Sequence, residues 1–244
     1  MNHKTIGVGT AGWSLPAEQR GHFGAGDSIL ARYATCLNAV EINSSFYRPH
    51  RPATYARWAA SVPTDFRFAV KVPKAITHER RLMDVDAPLE RFLGEAGVLG
   101  DKLGPLLVQL PPSLTFDPKI VRAFFASLRA RFRGAVVCEP RHASWFTERA
   151  NEFLTEAQIG RVAADPARVP GAERTGGDPS IAYFRWHGSP RVYYSNYESG
   201  RLAALATQLR KARKAGAAVW CIFDNTAAGA ATANALEMRR LSEG

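Results

Sequence analysis

Three short stretches hold most of the reactive side chains in this sequence: Glu41 with Asn43, Lys71, and Glu139 with Arg141. Two carboxylates brought together can divide acid and base work, or act as a nucleophile and an acid. A lysine beside them can hold an anion. If its ammonium is destabilised it can also act as a base or a Schiff-base former. Arg141 and Arg185 offer the planar fork that binds carboxylate or phosphate. The same charges would do no chemistry if they only paired with each other, and residue types alone leave both readings open. His78, Gln109, Asp165, His187, Asp224 and Asn225 complete the candidate set as groups suited to holding a polar substrate.

Nearly all of these residues close an apolar run. The runs are 5–9, 39–42, 66–72, 105–110, 135–139, 159–164, 181–186 and 218–223. Each has the length and β-branched or aromatic content of a buried strand. Two-residue alternation puts Glu41 and Asn43 on one face, and Tyr183, Arg185 and His187 on one face. Helical patterns separate the runs. Asp27 or Ser28 caps a helix with Leu30, Tyr33 and Leu37 inward, and Pro52 opens another. A third runs from Leu89 to Leu103, weakened by Gly94, Gly97 and Gly100. Asp117-Pro118 starts a fourth, Ser144 or Thr147 a fifth, and others follow over 201–215 and at the alanine-rich end.

Eight strands alternating with helices over 244 residues predict a single (β/α)8 TIM-type barrel spanning 1–244, a fold of about 250 residues. Residues 166–180 show no helical period, so the sixth helix should be reduced or missing. A doubly wound open sheet is the runner-up. In a barrel the strand C-termini share one mouth, which is where the polar residues should converge. Cations gathered there need carboxylate partners, and Glu41, Glu139 and Asp165 are placed to pair with Lys71, Arg141 and Arg185. The segment 191–200 carries Tyr193, Tyr194 and Tyr197, so it should be either a mobile lid or a permanently packed loop.

Composition removes several classes. Hydrophobic residues make up 46% of the chain, enough for a core and too many for disorder. No apolar run reaches the ~20 residues that span a bilayer. The start, MNHKTIGVGTAGW, lacks a leader's apolar centre, so a cytoplasmic location is expected. Cys36, Cys138 and Cys221 share no metal-type spacing and should be free thiols. The net charge of +10 and pI near 9.9 invite nucleic acid. The two densest basic runs, 129–133 and 210–214, instead fit last helical turns on the face opposite the mouth. Gly7, Gly9 and Gly12 spell a dinucleotide motif, but the first lies inside a strand and no helix follows directly. No cofactor is therefore expected. A divalent metal held by the carboxylates and His187 is the minor alternative.

Six motifs taken together resemble one family. They are Val40-Glu-Ile-Asn-Ser-Ser-Phe-Tyr47, Phe68-Ala-Val-Lys-Val-Pro73 with Ile76-Thr-His78, Leu107-Val-Gln-Leu-Pro-Pro112, Glu139-Pro-Arg-His-Ala-Ser-Trp145, Tyr183-Phe-Arg-Trp-His-Gly188 and Phe223-Asp-Asn225. In order and over nearly the whole chain, they are similar to the YecE-like family, domain of unknown function 72. The resemblance implies a TIM barrel and no established activity. The family pattern has an amide pair at the last strand tip where this chain has Asp224-Asn225, which adds a carboxylate. The expected ligand is a small, polar, anionic molecule, in phosphorylated form or not. The expected chemistry is that of a hydrolase, lyase or isomerase without a nucleotide cofactor. A nucleic-acid binding or processing protein and a non-catalytic metabolite binder are the alternatives. Oligomeric state is left open.

Overall fold

The computed structural model describes residues 5–243. Met1–Lys4, the start of the segment read above for a leader, lie outside the described residues. The strands are β1 (Gly7–Thr10), β2 (Ala39–Ile42), β3 (Arg67–Lys71), β4 (Leu103–Gln109), β5 (Val136–Glu139), β6 (Gly160–Arg161), β7 (Ala163–Asp165), β8 (Gly176–Gly177), β9 (Ile181–Trp186) and β10 (Ala218–Phe223). The helices are α1 (Ile29–Tyr33), α2 (Pro52–Ala60), α3 (Asp86–Ala96), α4 (Pro118–Arg131), α5 (Glu148–Glu156), α6 (Ser199–Lys214) and α7 (Ala230–Glu243).

This is a mixed α/β fold built on two largely parallel sheets. One has the order β1-β10-β9-β7 and the other β2-β3-β4-β5-β6-β8. They approach each other at two places. Between β1 and β2 the Asn38 side chain mimics a strand, accepting from Val8 N at 2.9 Å and donating to Ile6 O at 2.9 Å. Tyr33 Oη adds a bond to Ala39 O at 3.0 Å, and Ala11 bridges Glu41. Gly9 permits this approach, because a Cβ there would overlap the Ala39 carbonyl. On the other side, β6 pairs with β5 while β7, one residue further on, pairs with β9.

Several local expectations meet their reasons here. Ser28, rather than Asp27, caps α1 by accepting from Ala31 N, and Thr147, rather than Ser144, caps α5 by accepting from Ala150 N. The third helix is shorter than its apolar pattern. It ends at Ala96 and tightens to a 3-10 stretch in which Gly100 turns to φ +55°. Glycine's backbone freedom outweighs the apolar period there. Residues 166–180 contain no helix. They contain β8 instead, a short antiparallel addition to β6 that the sequence did not signal. Both dense basic runs do fall in last turns, with Arg129 and Arg131 on α4 and Lys211, Arg213 and Lys214 on α6. Cys138 and Cys221 are buried free thiols.

The core has two parts. The larger lies between strands and helices. The smaller lies between the two sheets, formed by Ala39, Ala69, Leu107, Val137, Val162, Ile181, Tyr183, Trp220 and Ile222. Burying each large side chain of this kind contributes about 1.5–3 kcal/mol. No described helix is long and apolar enough to cross a membrane.

Candidate functional site at the strand tips

The smaller core predicts where the polar residues go. Two residues beyond Ala39, Ala69, Leu107, Val137, Tyr183 and Ile222 stand Glu41, Lys71, Gln109, Glu139, Arg185 and Asp224. Alternation therefore keeps all six on the inner face, one step past the apolar layer. Strand register agrees: Gln109 is opposite Glu139, Lys71 opposite Leu107, and Ile222 opposite Arg185. All six, together with His187, are buried.

Arg185 is the hub, at 1% exposure, with carboxylates on all three of its nitrogens. Nε donates to Glu41 Oε2 at 3.0 Å, Nη2 to Glu41 Oε1 at 2.8 Å, and Nη1 to Glu139 Oε2 at 3.2 Å. Asp224 Oδ2 lies 3.0 Å from Nη2. Tyr183 Oη donates to Glu41 Oε2 at 2.9 Å. His187 spans two carboxylates, with Nδ1 2.9 Å from Asp224 and Nε2 3.0 Å from Glu139. A neutral imidazole has one donor, so this arrangement needs one further proton on the ring or on a flanking carboxyl. Arg141 reaches Glu139 Oε1 through Nη2 at 3.0 Å and Nε at 3.3 Å.

The electrostatics follow from this pairing. Burial alone would raise the Glu139 carboxyl, but Arg185, His187 and Arg141 hold it well below its usual range. Asp224 is lowered in the same way, against burial, by Arg185 and His187. Burial opposes the Arg185 charge, yet Asp224, Glu41 and Glu139 keep its guanidinium firmly protonated. Tyr183 is pushed up by burial and by the Glu41 charge.

Lys71 is different. It is 4% exposed, and no ion pair or hydrogen bond joins its ammonium to another described residue. Nζ instead lies over the Phe46 ring, 4.0 Å from the centroid. Burial first, then the Arg185 charge, lowers its pKa to about 8, with Glu41, Glu139 and Asp224 opposing the shift. His78 meets the same Phe46 ring edge-on, with centroids 4.9 Å apart. Burial, then Lys71 and Arg141, lower the His78 pKa, so this imidazole stays neutral near pH 7. A single turn of π-helix, Ala75–Glu79, carries it there from the end of β3.

The family model described as a protein of unknown function, DUF72, matches residues 7–244. The chain belongs to the DUF72 family. UPF0759 protein YecE of Escherichia coli strain K12 is 31% identical over 175 residues, which are 68% of this chain and 61% of YecE. The chain thus matches about three-fifths of that relative's length. A DUF72 family protein of Enterococcus faecalis V583 superposes with a TM-score of 0.80 at 24% identity, covering 100% of both chains. A xylose isomerase-like TIM barrel/4-hydroxyphenylpyruvate dioxygenase fusion protein gives a TM-score of 0.54 at 16% identity, over 97% of this chain and 42% of that one. The last two likenesses concern the fold alone.

Three residues expected at the site of this DUF72 chain do not join the cluster. Asp165 is opposite Trp186 in register, not Arg185, so it faces the helix layer. It accepts from Tyr197 Oη at 2.8 Å and pairs with Arg201 at 2.6 Å. Asp165 is therefore not a partner of the inner cations; Asp224 takes that place. Asn225 follows Asp224 and so points the other way. It donates to Ser195 O and Asn234 Oδ1, both at 2.9 Å, and ties the 191–200 segment to α7. Asn43 lies past the end of β2 in helical backbone, where alternation no longer applies, and its buried Oδ1 has no hydrogen-bond partner. The 191–200 segment divides. Tyr197 is 2% exposed, packed 4.4 Å from Trp186 and bonded to Gly188 N, while Tyr193 and Tyr194 are exposed.

Two residues of the DUF72 cluster escaped the sequence reading. Tyr183 shared a face with Arg185 and His187, and that signal was available. Phe46 had none, because it comes from a 3-10 turn (Ser44–Phe46) whose direction only the fold sets. Among the described residues no group of three His, Cys, Asp or Glu side chains is placed to hold a metal ion. The Arg185 fork fills the space between the carboxylates.

Proposed function

We propose that this chain is an enzyme acting on a small anionic substrate at the inner strand tips, with Lys71 as its proton-transferring or nucleophilic group. One observation carries the reading: a buried lysine without an ion pair among the described residues, in a layer where the other charges are paired. A pKa near 8 leaves about a tenth of the amine free at neutral pH, against a few parts in ten thousand for an ordinary lysine. Glu41 and Glu139, expected to be the acid–base pair, are committed to Arg185. Glu139, with its carboxyl held well below the usual range, is a poor proton carrier near pH 7. The work of both in this reading is to fix Arg185 and His187. Arg141 is the anion anchor, since Glu139 takes its Nε and Nη2 and its side chain keeps 14% exposure. His78 and Gln109 line the remaining approach.

The finer fold belongs to the same reading. The Ala11–Glu41 bridge and the split strand 160–165 support one (β/α)8 barrel in a single domain, without a helix between residues 165 and 181; a cytoplasmic location is proposed with it from the sequence alone. Calorimetry and melting curves with millimolar acetate, glycolate, phosphate and sugar phosphates test it. At least one anion should bind, and Arg141→Met should weaken it by about 1.5–3 kcal/mol. If none binds at millimolar concentration, the reading is lost.

A second reading, nucleic-acid binding, rests on Tyr47, Tyr193 and Tyr194. All three are exposed in segments that follow inner-face strand tips, and Arg191 lies 3.9 Å from the Tyr194 ring centroid. Aromatic faces beside arginines suit single-stranded bases. Salt-dependent retention on heparin or an oligonucleotide would favour it; indifference to both at physiological salt rejects it.

A further inference from the structure

We propose that Lys71 condenses with the carbonyl of a small oxo acid, forming an imine, while Arg141 holds the substrate's carboxylate. This rests on the preceding reading and names its substrate class. The argument begins with what an anion-binding lysine would need. An ammonium kept for charge is normally held by acceptors, as Lys102 is, whose Nζ donates to Ala59 O and Val62 O at 2.6 Å each. Lys71 has no such acceptor among the described residues. Its amine faces an aromatic ring, in a site whose carboxylates are taken by Arg185. That setting destabilises the ammonium and leaves a nucleophilic lone pair.

The surroundings also contain the remaining parts. Condensation needs a group to carry protons to and from the carbinolamine oxygen. His78 shares the Phe46 ring with Lys71, and its Nδ1 bonds Thr77 Oγ1 at 2.9 Å, leaving Nε2 for that task. The Lys71 lone pair adds to the carbonyl carbon; the nitrogen gives up one proton and the oxygen takes one up to become a hydroxyl. That hydroxyl then leaves as water with a second proton as the nitrogen pair forms the C=N bond, and the nitrogen's remaining proton is released to give the imine. One water is released per imine, and no oxidant or reductant is involved. A carbonyl compound without an anion would lack the Arg141 contact, so the class is an oxo acid.

The test is reductive trapping. The intact protein is treated with glyoxylate, pyruvate or propanal in the presence of borohydride, which reduces an imine to a stable amine, and adducts are mapped by mass spectrometry. Glyoxylate or pyruvate should label Lys71 at least roughly tenfold faster than exposed Lys74, whose ammonium is paired with Glu79. Lys71→Met should lose that adduct while still melting in one cooperative transition, at or above the temperature of the parent. Arg141→Met should slow labelling by glyoxylate roughly tenfold more than labelling by propanal. Adducts confined to exposed lysines overturn the proposal, as does an Arg141→Met variant that slows both probes equally. Calorimetry with glyoxylate and its hydroxy analogue glycolate separates the two levels. Binding of both without trapping at Lys71 removes the imine alone; binding of neither, nor of any other anion, removes the anionic-substrate reading too.

Discussion

Arg185 and Lys71 are two buried cations in one layer, and their surroundings treat them in opposite ways. Arg185 has carboxylates on each nitrogen and is held charged; Lys71 has an aromatic ring and is drawn toward neutrality. Desolvation acts on both. The difference is whether paired charges repay it. A fork with five fixed donors can satisfy Glu41, Glu139 and Asp224 together, which a lysine's point charge could not. One region of the site is thus finished as a rigid frame, and the other is left chemically open.

Replacing the hub should have the largest effect. Arg185→Met strands three carboxylates without their shared partner, and unfolding by urea should show a loss of about 3–5 kcal/mol. The pH dependence should change as well. Glu139 and Asp224 have depressed native pKa values, so the stability they supply is complete above the ordinary carboxylate values of 4.5 and 3.8. It is lost as pH falls from there through the lower native values. In Arg185→Met that acid limb should flatten; an unchanged limb would break the comparison.

Lys71→Met should do the opposite. A basic group whose native pKa is lowered makes the unfolded chain bind more protons between the two pKa values, so stability rises with pH there. The cost is full below pH 8 and is relieved as pH climbs from about 8 to 10.5. Removing the amine should therefore stabilise the protein at pH 7 by about 3 kcal/mol, at 1.36 kcal/mol per pKa unit. The gain should vanish by about pH 10.5. Destabilisation at pH 7 would mean that the ammonium has a partner in solution.

Tyr183→Phe removes one donor from Glu41 while leaving the Arg185 fork. Chemical denaturation should register about 1–2 kcal/mol of lost stability. The smallest effect is expected on the helix side. Asp165 pairs with an Arg201 side chain that is 46% exposed, and such pairs contribute about 0–1 kcal/mol. Asp165→Asn should shift the melting temperature little and leave small-anion binding untouched. Loss of anion binding in that variant would return Asp165 to the site.

What the sequence determined by itself was periodic. An apolar strand with alternating faces fixes which side its tip residue takes, so Glu41, Lys71, Gln109, Glu139, Arg185, His187 and Asp224 stood in the candidate set before any coordinates, together with Asn43, Asp165 and Asn225, which the fold turns elsewhere. The prediction of an ion-paired layer was legible for the same reason, since like charges on one face demand partners. Periodicity fails where the strand ends. Asn43 and Phe46 lie in a turn, Asn225 is one residue out of phase, and Asp165 belongs to a strand that changes neighbours halfway. Their directions depend on backbone geometry and register set by distant segments. The division of roles was also beyond the sequence, because Lys71 and Arg185 are both simply cations at strand tips. Only the tertiary structure decided which of them received the carboxylates, and a pKa depends on that distribution of neighbours in space.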